Sequence, residues 1–499
     1  MLLSNILSEG EYTSAHSPSA IEFSKIVTNT ALLEKNCLFV CIQGQHFDTH
    51  SMASLAVSAG AAAIIAEDAK KLHLPERFPV FFVKDTRATL SHLVSRYHGE
   101  RWKKSKLIAI TGTNGKTSTL YLTDAILRHA GYRVGTVGTV DITLDGKPLP
   151  LTEAEESAVK TMTTPDPMIL FPIICRMADA GADYIIMEAS SHALSQKKLS
   201  PLTFTLGLFT NLSPEHLDFH SNMEEYLRAK ALLFPHCARA VLNADSPYSY
   251  EIMRRTGVKS LLVGSEPSCD YHTHDVVSKG SHGASFLLTY GKQTLQFNTN
   301  LSGIYNVENT RLATAATLAL GVDGEVIREA LSAFKGIPGR LERLTDASMP
   351  FTVFIDYAHT ETALKRLLQT VCAFRAPNER IVLVFGCGGD RDKSKRAPMG
   401  MTAEAYADLC IVTSDNPRSE NPMAIIKEIL RGMPDTARRR VIVDRERAIC
   451  EAIRGAKEGD IILLCGKGHE NYEITANGIH PFDEHMIVKR ALSLRQQDK

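Results

Sequence analysis

The eight residues Thr111-Gly-Thr-Asn-Gly-Lys-Thr-Ser118 lie between an apolar run, Leu107–Ile110, and a helical pattern, Leu120–Leu127. A strand, a glycine turn and a helix start in that order commit this part of the chain to alternating α/β structure and form a phosphate site. Exposed N–H groups and the helix dipole attract an anion, and Lys116 adds a positive charge. Thr117 is placed to offer its hydroxyl to Mg²⁺. The position five residues before Gly115 is Ile110, so the loop is a variant in which Gly112 is the first glycine. The sequence predicts that this loop binds a nucleoside triphosphate.

The rest of the pattern falls into three blocks. Residues 1–98 hold short strand-like runs, Cys37–Ile42 and Ala62–Ala66, and basic Arg101–Lys104 reads as a connector. Residues 99–335 carry the phosphate loop and nearly all-apolar runs at Tyr184–Met187 and Phe204–Phe209, as buried parallel strands do. Gly336-Ile-Pro-Gly-Arg340 supplies turn residues for a second boundary. In residues 336–499 four apolar strands each end in a polar signature. These signatures are Asp356-Tyr-Ala-His359, Gly386-Cys-Gly-Gly-Asp-Arg391, Ser414-Asp-Asn-Pro-Arg418 and Gly466-Lys-Gly-His-Glu470. Helical stretches such as Ala424–Leu430 lie between them, which predicts a doubly wound parallel sheet. Ligands of such sheets bind outside the carboxyl ends of the strands, so the four signatures should line one crevice. The expected fold is α/β in three domains. A small N-terminal domain precedes a central P-loop-type ATPase domain with a mostly parallel sheet, and a Rossmann-like domain ends the chain.

Composition narrows the partners. Lys+Arg and Asp+Glu balance at 56 each, which argues against nucleic acid or an anionic membrane surface. No apolar run approaches the roughly 18 residues of a membrane span, and Met1–Gly10 lacks the basic and apolar regions of a leader. The ten cysteines include no Cys-x-x-Cys pair, and several sit in apolar runs. They read as reduced core residues of a cytoplasmic protein.

Several residues outside the loop carry chemistry. Glu188 ends the apolar run Tyr184–Met187, where a carboxylate is costly to bury unless it meets a cation. With Thr117 nearby, Mg²⁺ is the expected partner. Asn211–His220 packs two histidines and two carboxylates beyond a strand end, with His216 the candidate. Lys230 sits among apolar neighbours in a helical stretch, and composition alone reads it as a lysine that snorkels to water. Asp415-Asn-Pro-Arg418 offers a carboxylate, an amide and a guanidinium on one Pro-stiffened loop. That set suits a zwitterion, or else is an Asn-Pro turn with solvated charges.

Together these residues resemble the Mur ligase family, the ATP-dependent amide-bond ligases of peptidoglycan precursor synthesis, over essentially the whole chain. The resemblance implies ATP contacts from Gly112, Thr113, Asn114, Gly115, Lys116, Thr117 and Ser118. It adds Asn306 and Asn309 on the adenine side and Arg340, Asp356 and His359 from the last block. It implies catalytic roles for Lys116, Glu188, His216 and Lys230, with two Mg²⁺ ions held by Thr117, Glu188, His216 and a carbamylated Lys230. A UDP-sugar would meet Thr28, Thr30, Gln45, His46 and Phe47, and then Met162, Thr163, Thr164, Ser190, Gln196 and Lys198. Within the family, Asp415-Asn-Pro-Arg418 marks the member that adds meso-diaminopimelate, and Arg391, Gly466 and Glu470 match its remaining amino-acid contacts. Three departures fall on the UDP-sugar side: Asn29-Thr-Ala31 where the family has Asp-Ser-Arg, Met162 in place of asparagine, and Lys198 in place of arginine. The expected protein is a monomer that works on small molecules and does not insert into membranes. Same-plan rivals are a lysine-adding sister ligase and a folylpolyglutamate synthetase; a P-loop NTPase or kinase is more remote.

Overall fold

The computed structural model describes residues 1–44, 47–75, 77–159, 162–214, 220–346, 348–434 and 438–497. By internal contacts the chain divides into two units, Met1–Tyr271 with Leu312–Val322, and His272–Arg311 with Asp323–Lys499.

The first unit contains a small parallel sheet in the order β1 (Ile26–Val27), β2 (Leu38–Val40), β3 (Ala63–Ala66), β4 (Val80–Phe82). All residues of β2 and β3 are buried, as strands covered on both faces must be. The connector Arg101–Lys104 is a short 3₁₀ turn anchored by Trp102, whose buried indole Nε1 donates to Ser95 Oγ at 2.9 Å.

A larger sheet follows, built from β5 (Lys106–Thr111), β6 (Val134–Val137), β7 (Ile142–Leu144), β8 (Lys147–Pro148), β9 (Tyr184–Glu188), β10 (Leu206–Phe209), β11 (Ala240–Asn243) and β12 (Ser260–Gly264). The order across it is β12-β11-β10-β5-β9-β6-β7-β8. Pairings from β12 to β6 are parallel, and β7 and β8 add an antiparallel edge. This order sets the carboxyl ends of β9 and β10 on either side of β5, so Glu188 and Thr210 flank the phosphate loop.

The strands β13 (Tyr271–Ser278), β14 (Ala284–Tyr290) and β15 (Gln293–Thr299), which from His272 on belong to the second unit, stand side by side, the last two as an antiparallel hairpin. The C-terminal sheet has six strands: β16 (Glu342–Arg343), β17 (Thr352–Asp356), β18 (Ile381–Phe385), β19 (Leu409–Val412), β20 (Arg439–Val441) and β21 (Ile461–Cys465). Their order is β16-β17-β21-β18-β19-β20, and every pairing except β16–β17 is parallel. Alternate residues feed two cores. Phe354, Leu383, Phe385, Cys410 and Leu463 pack on one face, and Val353, Ile355, Val384, Ile411 and Ile462 on the other. That is the doubly wound arrangement the four apolar runs predict, with all four polar signatures at carboxyl ends. The edge strand β20 is not legible as a strand, because two of its three residues are the arginines Arg439 and Arg440 and none of the three is buried.

The ten cysteines are all free. No helix among the described residues is long and apolar enough to cross a membrane.

Candidate active site

The phosphate loop leaves β5 and enters the helix Lys116–His129 through Gly115, whose φ of +83° is left-handed. At Gly112, φ is +148° and a Cβ would lie 1.8 Å from Thr210 Oγ1, so only glycine fits. The loop is braced by the segment after β10. Thr113 N donates to Asn211 O at 2.8 Å, Asn114 N donates to Asn211 Oδ1 at 3.1 Å, and Thr210 Oγ1 donates to Asn114 O at 2.6 Å. Asn243 at the end of β11 supports this brace by donating from Nδ2 to Thr210 O at 2.8 Å. Lys116 Nζ folds back on the loop carbonyls of Gly112 and Thr113, at 3.0 and 2.9 Å.

Glu188 is fully buried at the end of β9. Its carboxylate accepts from Thr117 Oγ1 at 2.9 Å, from Thr139 N at 2.9 Å and from Thr139 Oγ1 at 3.0 Å. A buried carboxylate supported by these neutral donors carries charge that a cation would match. The side-chain atoms here that could ligate a metal, Thr117 Oγ1, Thr139 Oγ1 and the Glu188 carboxylate, are all hard oxygens, the chemistry Mg²⁺ selects, so Thr117 and Glu188 fit that ion. Among the described residues no group of three or more His, Cys, Asp or Glu forms a metal cluster. His216 lies outside the described residues, as do Gln45 and His46.

Next to Glu188 the fold gathers part of the expected UDP-sugar set. Thr164 Oγ1 donates to Glu188 O at 2.8 Å, Ser190 N donates to Thr164 Oγ1 at 3.1 Å, and Thr139 Oγ1 lies 3.2 Å from Thr163 Oγ1. Lys198 is buried, with Nζ 3.4 Å from Met162 Sδ and 2.6 Å from Asp166 Oδ1. Two of the three departures from the family pattern, Met162 and Lys198, therefore touch one another. Gln196 caps the short helix Ser191–Ser195. Thr28 follows β1, Thr30 begins the 3₁₀ turn capped by Asn29, and Phe47 is exposed.

Lys230 does not snorkel. Only 1% of it is exposed, because the helix Met223–Ala231 turns that face inward. Its Nζ donates to Gly112 O at 2.7 Å and lies 4.5 Å from the centre of the Tyr226 ring, one helical turn away. Tyr226 also meets two other groups: its hydroxyl accepts from Thr113 Oγ1 at 3.2 Å, and its ring stacks on buried His220 with centroids 4.9 Å apart. His220 Nε2 is 3.0 Å from Ser191 Oγ. Sequence reasoning passed over Tyr226 and Thr139. The available signals were the four-residue spacing from Lys230 and the strand end at Val137.

The crevice of the second unit holds most of the residues expected to contact the amino acid. Asp415 is 7% exposed; its Oδ1 accepts from Asn416 N at 2.7 Å, while no donor among the described residues reaches Oδ2. Gly466, with φ +118°, faces that oxygen, and a Cβ there would lie 2.3 Å from it. Asn416 Nδ2 donates to Glu470 Oε2 at 2.8 Å, and Lys467 Nζ donates to Asn416 Oδ1 at 2.9 Å. Burial pushes the Glu470 carboxyl above its ordinary value and the Lys467 ammonium below its own. Arg418 has a left-handed φ of +51°, and its Nη1 donates to Gly389 O at 2.9 Å. Pro417 is buried and Arg391 is exposed. The Asp415–Arg418 loop is thus a buried polar cluster, not a turn with solvated charges.

Two unpredicted arginines hold this crevice. Arg396 is fully buried, with Nη2 donating to Glu420 Oε1 at 2.9 Å and to Gly388 O at 3.1 Å. Arg445 is 2% exposed and its Nε donates to Glu484 Oε1 at 2.7 Å. Breaking one side of such a pair costs about 3–5 kcal/mol. Charged residues in amphipathic helices read as solvated from sequence, which is why both were missed.

The remaining nucleotide candidates also belong to the second unit. Asn306 and Asn309 are buried, and Asn309 Nδ2 donates to Asn306 Oδ1 at 3.0 Å. Burial raises the Asp356 carboxyl, which accepts from Leu341 N at 2.7 Å and Ala358 N at 2.8 Å. Arg340 lies 5.5 Å from the Tyr357 ring centre, and His359 Nδ1 is 2.9 Å from Tyr357 O.

Comparison with known proteins agrees with this geometry. The Mur ligase middle domain matches residues 110–317, and the Mur ligase glutamate ligase domain matches residues 339–468. A Syntrophomonas wolfei protein named UDP-N-acetylmuramoyl-L-alanyl-D-glutamate--2,6-diaminopimelate ligase is 38% identical over 94% of this chain and 95% of its own length. A Bacillus velezensis protein of the same name is 38% identical over 98% of both chains. A solved structure of a ligase of that name superposes with a TM-score of 0.71 at 27% identity, covering 99% of each chain. Identity at this level along nearly the full length leaves one conclusion: the chain belongs to the Mur ligase family.

Proposed function

We propose that this chain is an ATP-dependent ligase that adds meso-diaminopimelate to the D-glutamate of UDP-N-acetylmuramoyl-L-alanyl-D-glutamate. The observation that carries the acceptor choice is Asp415 Oδ2, a buried carboxylate oxygen with no donor among the described residues. An ammonium is its natural partner. Diaminopimelate has a second amino-acid head bearing both an ammonium and a carboxylate. Asp415 and Glu470 would take the ammonium, and the half-buried Arg418 guanidinium the carboxylate. Lysine lacks that second carboxylate and would leave Arg418 unmatched, a polar mismatch that discriminates strongly.

The division of labour follows residues 1–98 for the UDP-sugar, 99–335 for ATP and 336–499 for the amino acid. Lys116 and the amides of Gly112–Gly115 would turn from their internal partners to the γ-phosphate. The D-glutamate γ-carboxylate attacks that phosphorus, the bond to ADP breaks, and an acyl phosphate forms. The amine of diaminopimelate then attacks the acyl carbon, a proton is lost, and phosphate leaves with the amide in place. Mg²⁺ on Thr117 and Glu188 would supply charge neutralisation for the approach of two anions. Lys230, buried against Gly112 O and the Tyr226 ring, is the residue whose carbamate, with His216, would hold a second ion.

The test is phosphate release from ATP with the UDP-sugar dipeptide and, in parallel, diaminopimelate, L-lysine or no amino acid. Release with diaminopimelate alone is expected. Equal release in all three would replace the ligase reading with an NTPase, and release with lysine alone would overturn the acceptor assignment.

A further inference from the structure

One buried side chain that the proposed chemistry does not use touches two signature loops at once. Arg445 opens the helix Arg445–Arg454, with Asp444 as its N-cap. Its Nη2 donates to Cys465 O at 2.9 Å and its Nη1 to Ser414 O at 3.3 Å, while Nε is held by Glu484 Oε1 at 2.7 Å. Ser414 and Cys465 immediately precede Asp415 and Gly466. Those two loops leave β19 and β21, which are not neighbours in the sheet, since β18 runs between them. Ladder hydrogen bonds therefore do not set the spacing of the loops. Yet that spacing is tight, because a Cβ on Gly466 would lie 2.3 Å from Asp415 Oδ2. A guanidinium presents its donors in a rigid planar fork, so two carbonyls bound to one fork are held at a fixed separation. Glu484, 1% exposed, neutralises the fork and fixes its orientation.

We propose that Arg445, oriented by Glu484, is the positioning residue that holds the Asp415 and Gly466 loops in register and so sets which amino acid the crevice accepts. The proposal rests on the acceptor role given to Asp415 above. Lysine at this position carries charge without the fork, so Arg445→Lys retains the ion pair with Glu484 and loses the two-carbonyl bridge. Glu484→Gln does the opposite, leaving the fork and weakening its anchor. The double variant Arg445→Met/Glu484→Met removes the pair without stranding a charge.

Amide hydrogen exchange of the free protein and steady-state kinetics test this together. In Arg445→Lys and in the double variant, amides of residues 414–418 and 465–470 should exchange at least tenfold faster while those of β18 keep their protection. KM for diaminopimelate should rise at least tenfold, with KM for ATP within twofold, and preference over lysine should fall. Glu484→Gln should show the same pattern at smaller amplitude. Loop exchange or acceptor KM within twofold of wild type in a folded Arg445 variant would overturn the proposal, as would a larger loss in Glu484→Gln than in Arg445→Lys. Should neither Arg445 variant fold, the wild type decides. Its two loops must then exchange only through global unfolding, and faster local opening would overturn the clamp. Exchange needs no acceptor, so a wild-type enzyme that takes a different amino acid would defeat the functional reading and leave the exchange result standing.

Discussion

The Gly112–Lys116 loop and the crevice around Asp415 solve the burial of polar groups in opposite ways. In the first unit the charged groups are internally occupied: Lys116 sits on two loop carbonyls, and both Glu188 oxygens accept from threonines. In the second unit Asp415 keeps one buried oxygen without a donor, although Lys467, Asn416 and Glu470 around it are bonded. A ligand at the loop must compete with protein hydrogen bonds already made, whereas a ligand ammonium at Asp415 completes one. Under the proposed function the loop would gain catalytic leverage from rearrangement, and the crevice specificity from an unmet demand.

Four experiments press on that contrast, beginning with the largest effect. Lys116→Ala should lower acceptor-dependent phosphate release on the order of 10³-fold, about 4 kcal/mol of transition-state stabilisation. Release within about tenfold of wild type would show that the lysine is only structural. Asp415→Asn should raise the KM for diaminopimelate roughly 10–100-fold, the scale of a charged hydrogen bond, while thermal stability stays equal or rises because a buried carboxylate oxygen that no donor among the described residues reaches is gone. A clear drop in melting temperature with unchanged KM would reverse the reading of that oxygen. Tyr226→Phe removes the hydroxyl that Thr113 Oγ1 donates to, and about 1 kcal/mol is at stake, so KM for ATP should rise roughly fivefold with the acceptor KM unmoved. A change in both would mean that Tyr226 is not confined to the loop.

The smallest effect concerns pH. Hydrogen bonds from Arg396 hold the Glu420 carboxyl down at about 2, below its ordinary 4.5. A lowered carboxylate pKa contributes stability that is complete above the ordinary value and is lost as pH falls toward about 2. The melting temperature of Glu420→Gln should accordingly decline less between about pH 5 and pH 3 than that of wild type. Parallel declines would place the acid sensitivity elsewhere.

Much of this was readable in the chain. The glycines at 112 and 115, the apolar run before them and the lysine after them are adjacent in sequence, and the strand–loop–helix that forms there is built from adjacent residues. The four strand-end signatures were equally clear, because parallel strands buried on both faces are short apolar runs whatever their neighbours. The helix Met223–Ala231 is amphipathic as its pattern implies, but composition alone puts Lys230 on the wrong side of it. Helical periodicity cannot say whether a lysine stem leads to water or, as here, to a backbone carbonyl on a distant loop.

The sequence by itself determined the strand–loop–helix at Gly112–Lys116 and the strands that end in the four polar signatures, since turn chemistry and hydrophobic period act over a few residues. Only the tertiary structure decided which polar groups meet. Thr139 reaches Glu188 because β6 lies beside β9, Asp166 pairs with Lys198, and Arg445 spans Ser414 and Cys465 because β18 separates β19 from β21. These meetings depend on a strand order that does not follow chain order, and a buried charge finds its partner through space rather than along the sequence.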